Sequence, residues 1–171
     1  MDALPTNKVT AYDEKAAAIH ALGELAKACP MKFAPHFERA HEILEENYQF
    51  FYDNIRIQVC YCYTNLTIGY LKSKNGGVLP KYKKGLPCIE RFTPEIEEHF
   101  RTMLIPKLIF MMTEDEDKRV RGCAVEALDD MCKEIGPVLV DRSLEPIKDA
   151  IIRILETDVV EENSDEEEEP E

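Results

Sequence analysis

The chain lacks several features that mark common protein classes. Its 171 residues include no tryptophan and only seven glycines, which argues against a glycine-built nucleotide site and against a collagen-like or low-complexity chain. No apolar run reaches the roughly 18 residues that a membrane-spanning helix needs, and no charged-then-apolar leader opens the sequence. Six cysteines without an export signal are typical of reduced, buried thiols. We therefore expect a soluble intracellular domain that is long enough to bury a core.

Basic residues are missing from the end of the chain. From Ile154 onward the sequence has ten acidic residues and no basic one, whereas the preceding 153 residues carry 24 acids and 21 bases. The net charge of −13 therefore belongs mainly to this end. A block of like charge repels itself and cannot bury a core. We therefore predict a folded segment over residues 1–157 and a disordered acidic tail over residues 158–171.

Strand-like alternation is nearly absent, and helical periodicity takes its place. Six segments repeat apolar residues every three to four positions, which predicts helices over 9–28, 34–51, 55–71, 93–112, 118–135 and 138–155. The third segment is apolar nearly all round, so we place it in the middle of the stack. Connections are short except for 74–92, where Gly, Pro and Lys replace any periodicity. A loop of this length in a compact domain is usually functional or mobile.

Three of these helices open in a similar way. When Lys15, Arg56 and Arg121 are aligned, small or apolar residues recur three, six, seven and ten positions later in each helix. The aligned residues are 41 and 65 positions apart, and the larger spacing contains the long loop. A period of about 40 residues built from helix pairs is the signature of an α-solenoid.

The clearest copy of the repeat runs without interruption over residues 104–128. It has Pro106 in its first helix, the acidic turn 115–117 and a Val-Arg pair at 120–121 that opens the second helix. This order resembles the HEAT-repeat consensus; a generic helical bundle is the alternative. We expect an all-α HEAT-repeat α-solenoid of about three antiparallel helix pairs. We call the first helix of each repeat the outer helix and the second the inner helix. If the other helices follow this order, the chain begins with an inner helix and ends with an outer one, so we expect it to be a segment of a longer repeat array.

Residues 9–26 (VTAYDEKAAAIHALGELA), 33–38 (FAPHFE) and 53–56 (DNIR) together resemble the importin-β (karyopherin-β) superfamily. The order and spacing of the three motifs agree with that family over most of residues 8–157. The likeness is nearest to the importin-4 and karyopherin-123 branch, with the importin-5 branch next. Members of the family have many more repeats than the three found here.

The resemblance implies a nuclear transport receptor that shuttles between cytoplasm and nucleus. Such receptors wrap basic protein cargo of histone or ribosomal-protein type on a concave surface. They release this cargo when GTP-bound Ran GTPase binds to them. They touch phenylalanine-glycine nucleoporins with their outer helices. Two alternatives stay open: a HEAT-repeat scaffold or adaptor in another complex, and an acidic histone chaperone that acts alone.

Two charged sets are candidate partner-binding sites. The acidic set could hold a basic cargo with a strong dependence on salt, or could be a solvated linker; its residues are Glu161, Glu162, Asp165, Glu166, Glu167, Glu168 and Glu169. The basic set is predicted to form a basic loop, which could grip phosphates or the acidic tail, or could be merely solvated; its residues are Lys72, Lys74, Lys81, Lys83 and Lys84. Direct nucleic-acid binding is not expected because aromatic interleaving is nearly absent.

No residue pattern points to catalysis, a cofactor or a metal. Cys60 and Cys62 stand two apart, which on a helix turns their side chains about 200° away from each other, so we expect buried thiols. The four histidines show no ligand spacing, and His41-Glu42 lacks the second histidine of a zinc-protease motif. We therefore expect a binding protein and not an enzyme, with no membrane contact.

Overall fold

The computed structural model describes residues 6–79, 82–84, 98, 100–136 and 143–165. Every regular element in these ranges is helical, which confirms the expected all-α class. The longer helices are α1 (Thr6–Ala28), α2 (Phe37–Glu45), α3 (Asp53–Lys74), α4 (Ile105–Glu114), α5 (Lys118–Ile135) and α6 (Leu144–Asp165).

Prolines and one asparagine make the second helix shorter than predicted. Instead of a single helix over 34–51, a short turn over Pro30–Phe33 and a tighter one over Ala34–His36 precede α2. Pro30 and Pro35 each lie in the first turn of their element, where a missing N–H costs nothing. Beyond Glu45, Asn47 donates from Nδ2 to the Ile43 carbonyl at 2.6 Å. This side-chain bond competes with the backbone ladder and ends the helix.

A third proline shapes the start of α4. Pro106 lies in the first turn of α4, and a wide π-type turn over Phe100–Leu104 leads into it. The predicted start at residue 93 lies outside the described residues, and α4 ends at Glu114, two residues later than expected.

Clear capping signals made α5 the most predictable helix. Asp117 accepts a hydrogen bond at its Oδ1 from the Arg119 N–H at 2.8 Å, which caps the first turn. Gly136, with φ of +95°, ends the helix at Ile135, so the predicted bounds are confirmed.

The last helix is longer than the sequence indicated. α6 continues to Asp165 instead of ending at Leu155. The helix covers residues 158–165, so the expected disorder is not confirmed there; residues 166–171 lie outside the described ranges. Glutamate is a good helix former, and its propensity extends a helix that packing has already started.

α3 lies in the middle of the stack, as predicted from its apolar surface. It packs along α1 on one side and along α5 on the other, and α2 also packs on it. α4 packs on α5 and on α6. Lys107 of α4 pairs with Glu45 of α2 at 2.7 Å, and the Phe110 ring lies 5.7 Å from Tyr48, just past the end of α2. Contacts therefore run in sequence from α1 through α3 to α5, and separately from α2 through α4 to α6.

Close contact between α1 and α3 depends on glycine. A Cβ placed on Gly69 would lie 2.4 Å from the Ala26 carbonyl oxygen, closer than non-bonded atoms can approach. A Cβ on Gly23 would lie 3.1 Å from the Cα of Cys62. The two helices therefore approach at backbone distance where these glycines meet their partners.

The face of α1 that enters the core differs from the predicted one. Helical spacing puts Ala18, Leu22, Leu25 and Ala26 on one apolar face of α1, which the sequence alone would bury. The structure buries Ala26 and half-buries Leu22, but leaves Ala18 exposed and Leu25 56% exposed. The prediction was wrong for Ala18 and Leu25 because α1 packs on α3 along the adjacent stripe, which includes Ile19.

Candidate interaction surface

A buried ion pair fixes the position of α3 against the turn between α4 and α5. The Arg56 guanidinium donates to both carboxylate oxygens of Asp115, at 2.8 and 2.9 Å, and to the Phe50 carbonyl at 2.7 Å. Its side chain is only 6% exposed. Burial would lower the pKa of Arg56, but the hydrogen bonds and charge of Asp115 outweigh it and the pKa is raised. This bidentate ion pair fixes the position of α3 relative to α5.

The same turn also organises the start of α5. Arg121 donates to the Asp115 carbonyl at 2.9 Å, and Asp115 Oδ1 accepts the Asp117 N–H at 3.0 Å. Arg119 pairs with Asp117 and with Asp53 at the start of α3. The hydrogen bond from Arg119 is the main reason why the pKa of Asp117 is lowered to about 2. The ends of α3 and α5 are thus held together by charge.

Beyond the first turns of α3 and α5, equivalent positions on α1, α3 and α5 form three stripes, one on each helix. They stand two residues before, and two, five and nine residues after, the aligned Lys15, Arg56 and Arg121. On a helix these positions share one face. We call this surface the three-helix face; its residues are Asp13, Ala17, His20 and Glu24 on α1, Asn54, Gln58, Tyr61 and Asn65 on α3, and Arg119, Cys123, Glu126 and Asp130 on α5.

Polar side chains connect the stripes across the helices. Between α1 and α3, Nδ1 of His20 lies 3.1 Å from Oε1 of Gln58, and Asn65 donates from Nδ2 to Glu24 at 2.7 Å. Each contact joins a residue of α1 to a residue of α3, so the two stripes form a continuous polar surface.

Tyr61 makes the corresponding connection between α3 and α5. Its hydroxyl donates to Glu126 at 3.3 Å and lies 3.5 Å from the Cys123 sulfur. The hydrogen bond with Cys123, partial burial and the charge of Glu126 raise the pKa of Tyr61, so the phenol stays protonated and keeps a donor on the face.

A shallow groove runs between the first two stripes. It has a volume of about 500 Å³, and small side chains of α1 leave the space; its lining residues are Asp13, Ala16, Ala17, His20, Asn54, Gln58 and Tyr61.

Four of the twelve residues of the three-helix face are carboxylates, and the one guanidinium, that of Arg119, is paired with Asp53 and Asp117. The face is therefore acidic and suits a cationic ligand.

The structure separates the basic residues that the sequence grouped in one loop. Lys72 and Lys74 lie on the last turn of α3, where the Lys74 ammonium is 5.3 Å from the Tyr70 ring centre. Lys83 and Lys84 are exposed, next to Tyr82, which packs close to Gly136 at the end of α5. Lys81 lies outside the described residues. The expectation that Lys72 and Lys74 belong to the loop is wrong, because α3 extends to Lys74.

The acidic set divides in a similar way. Glu161, Glu162 and Asp165 lie on the end of α6, whereas Glu166, Glu167, Glu168 and Glu169 lie outside the described residues. The helical part of the set belongs to the element that packs on α4. Part of this charge is thus attached to the helical body.

The buried cysteines behave as the sequence indicated. Cys60 and Cys62 are fully buried in the core, and burial raises the pKa of Cys62 to about 12. Cys29, however, is exposed at the end of α1, so the expectation of buried thiols is wrong for this residue. Cys29 follows the last residue of α1 and precedes Pro30.

Sequence reasoning missed the three-helix face, and a signal for it was present. α3 was classified as apolar nearly all round, which concealed the stripe of Asn54, Gln58, Tyr61 and Asn65. The alignment of Lys15, Arg56 and Arg121 already assigns these positions to one face. Applying that alignment to the polar residues as well as to the apolar ones would have found the surface.

Among the described residues, no group of His, Cys, Asp and Glu is placed to hold a metal ion. None of the helices in these ranges is both long and apolar enough to cross a bilayer. No protein-family model, no curated protein and no solved structure matches this chain.

Proposed function

We propose that this chain is a HEAT-repeat segment of an importin-β-type nuclear transport receptor and that it binds basic protein cargo on the three-helix face. The observation that carries the proposal is the alignment of equivalent polar positions on α1, α3 and α5, with contacts between neighbouring stripes. The succession of contacts from α1 through α3 to α5 and from α2 through α4 to α6 supports a two-layer solenoid in which the first set is the inner layer.

Charge supports a basic ligand for this surface. Asp13, Glu24, Glu126 and Asp130 are exposed and lie on the two outer stripes, so a lysine-rich or arginine-rich segment that crosses the helices would meet a carboxylate on each of these stripes. The acidic end of α6 would add long-range attraction and increase the association rate. Both effects weaken as salt rises.

A matched pair of variants tests the proposed surface. The face variant carries Asp13→Asn, Glu24→Gln, Glu126→Gln and Asp130→Asn, and the control variant neutralises four exposed carboxylates elsewhere, namely Glu38, Glu42, Glu46 and Glu98, by Glu→Gln substitution. Binding of a lysine-rich histone-tail peptide is measured by fluorescence anisotropy at several salt concentrations. The face variant should bind at least about ten-fold more weakly, a loss of roughly 1.4 kcal/mol. The control should resemble the unmodified chain.

Equal losses in the two variants would reject the three-helix face as the cargo site. A third variant, with the acidic residues from Glu161 to Glu169 neutralised, separates the stand-alone chaperone. If only this variant loses binding, the acidic segment acts by itself. Unchanged affinity in all three variants would leave no electrostatic basis for cargo binding.

Ran separates a transport receptor from a scaffold. The native protein is captured from cells with an antibody raised against this chain, with its bound proteins attached. GTP-loaded Ran should release the basic proteins and GDP-loaded Ran should not. Retention of these proteins under GTP-loaded Ran would favour the HEAT scaffold and reject the receptor.

A further inference from the structure

A small pocket lies next to the starts of α3 and α5, and we call it the edge pocket. Residues from the turn between α2 and α3 line it together with residues from the end of α4 and the turn that follows. Its volume is about 230 Å³, and its lining residues are Gln49, Phe50, Phe51, Arg56, Phe110, Glu114, Asp115 and Glu116. This volume is below the roughly 300–1,000 Å³ of small-molecule sites. The edge pocket therefore suits a single side chain of a partner protein.

Three phenylalanine rings form the apolar part of the lining. Phe51 is 61% exposed, and it is the one aromatic residue among the large exposed hydrophobic side chains of the described ranges. Its ring centre lies 4.7 Å from that of Phe50, and Phe110 is half-buried. Exposed aromatic surface that is held in place by neighbouring rings is available to a ligand at little cost in side-chain entropy.

The rings around this pocket already have cations from the chain itself beside them. Lys15 Nζ lies 4.1 Å from the Phe50 ring centre. Lys107 Nζ lies 4.2 Å from the Tyr48 ring centre, and Tyr48 packs edge-on against Phe110. Both ammonium groups are within the roughly 6 Å of a cation–π contact. This aromatic group therefore favours positive charge.

Carboxylates provide the charge of the pocket. The lining contains three carboxylates, those of Glu114, Asp115 and Glu116, and one guanidinium, that of Arg56. Arg56 is held by its bidentate pair with Asp115 and lies 3.9 Å from the Glu116 carboxylate.

The two glutamates differ in how their charge is used. Glu114 pairs with Arg153 of α6 at 3.3 Å, so a guanidinium already binds at this carboxylate. The Glu116 side chain is 87% exposed, and its nearest cation, Arg56, already pairs with Asp115. The charge of Glu116 is therefore largely available to a cationic ligand.

We propose that the edge pocket holds the guanidinium of an arginine side chain from a partner protein, next to the Phe51 ring and paired with Glu116. Arginine suits this arrangement better than lysine, because its planar head can stack on a ring and still donate two hydrogen bonds to a carboxylate. The proposal does not depend on the proposed function, because the edge pocket and the three-helix face share no residue.

Peptide binding observed at the pocket itself tests the proposal. The probe is the tripeptide Gly-Arg-Gly with both ends capped, and two further peptides carry citrulline or lysine in place of arginine. Binding to the full chain is followed by NMR with ¹³C-labelled phenylalanine rings, at low salt because salt screens exposed charge pairs.

A matched pair of variants accompanies the peptides. The pocket variant carries Phe51→Leu and Glu116→Gln, and Phe110 remains in it as a reporter. The control variant carries Met31→Leu and Glu38→Gln, which change an exposed apolar residue and an exposed carboxylate near the start of α2. The edge pocket lies beyond the other end of that helix. Far-UV circular dichroism checks that both variants keep their helices.

The arginine peptide should shift the ring signals of Phe51 and Phe110, and the shifts should saturate. The citrulline peptide keeps the shape of arginine without its charge and should bind at least about three-fold more weakly. The pocket variant should lose at least about three-fold in affinity for the arginine peptide, since it lacks both the ring and the carboxylate. The control variant should stay within about two-fold of the unmodified chain.

Several results would overturn the proposal. Absence of a saturable shift, or equal binding of the arginine and citrulline peptides, would show that the pocket does not bind this cation. Equal losses in the pocket and control variants would place binding on the acidic surface in general. A lysine peptide that binds as tightly as the arginine peptide would reject the assignment to arginine.

The variant of the three-helix face described above distinguishes this proposal from the proposed function. If that variant loses affinity for the arginine peptide while the pocket variant keeps it, the cation binds the three-helix face. That result would reject the edge pocket and leave the proposed function standing. Loss of histone-tail binding alone, with the arginine peptide still in the pocket, is not affected by this proposal.

Discussion

α1 and α3 share the same spacing of apolar residues but differ in how many helices pack beside them. Aligned on Lys15 and Arg56, both have small or apolar residues three, six, seven and ten positions later. α3 has α1 and α5 on its two sides, and all four positions are buried. α1 has α3 as its neighbour, and Leu25 is mostly exposed. The pattern thus defines which residues can be buried, and the number of neighbours decides how much each contributes to stability.

The largest difference should appear at the aligned basic residues. Arg56→Ala leaves Asp115 buried without its cation, so we expect a loss of about 3–5 kcal/mol in the free energy of unfolding. Lys15 lies 4.1 Å from the Phe50 ring centre, and Lys15→Ala should cost at most about 1 kcal/mol. Urea unfolding followed by circular dichroism measures both. Similar losses in the two variants would contradict the contrast between the helices.

The leucines ten positions later should show the next largest contrast. Leu66→Ala removes a buried side chain and leaves a cavity, so we expect a loss of about 2–5 kcal/mol. Leu25→Ala removes a side chain that is 56% exposed and should change stability by about 0.5 kcal/mol or less. Both are compared by thermal unfolding at low protein concentration. A large loss from Leu25→Ala would mean that α1 has a second neighbour in solution.

Two glycines sharpen the comparison between a covered and an open helix surface. Gly69→Ala inserts a methyl group against the Ala26 carbonyl at the α1–α3 contact and should destabilise the chain by about 1–3 kcal/mol. Gly122→Ala places a methyl group in open space on α5 and should stabilise the chain by about 0.4–1 kcal/mol, because alanine favours the helix. Urea midpoints with unchanged slopes would measure both effects. The same sign for both substitutions would contradict this contrast.

The smallest effect concerns the first turns of α5 and α3. Asp117 caps α5 through its side chain, whereas Tyr52 at the start of α3 provides no side-chain cap. Asp117→Ala should cost about 1 kcal/mol at neutral pH. The pKa of Asp117 is lowered to about 2 in the folded chain, below its usual value, so its contribution is complete above about pH 4 and is lost as the pH falls to about 2.

Unfolding of the two proteins at a series of pH values tests this linkage. The difference between the unmodified chain and Asp117→Ala should shrink steadily between pH 4 and pH 2. Asp117→Asn serves as the control, since it keeps a capping oxygen without the charge. A difference that stayed constant down to pH 2 would show that the charge of Asp117 contributes nothing to the cap.

Local signals predicted α5 completely and the second and last helices poorly. Asp117 and Gly136 delimit α5 by capping chemistry that acts within a few residues, so the sequence contains the whole signal. The end of α2 depends on a side-chain hydrogen bond from Asn47 to the Ile43 carbonyl. The extension of α6 depends on packing at the beginning of that helix, where Ser143 and Ile147 are buried. Both helix ends therefore depend on contacts that form only in the folded chain.

The candidate site was hidden for a related reason. The repeat alignment was sufficient to place Asn54, Gln58 and Tyr61 on one face of α3, but it does not show that α1 and α5 lie beside that face. The bonds from His20 to Gln58 and from Tyr61 to Glu126 join residues that are 38 and 65 positions apart. Such pairs form only after the helices have packed.

The sequence by itself determined the helical class, the bounds of α5, the central position of α3 and the burial of Cys60 and Cys62. These follow from periodicity and capping, which are properties of neighbouring residues. Only the tertiary structure decided that Arg56 would pair with Asp115, that Leu25 would stay outside the core, and that three polar stripes would form one acidic face. These depend on which helix lies next to which, and that is set by packing over the whole chain.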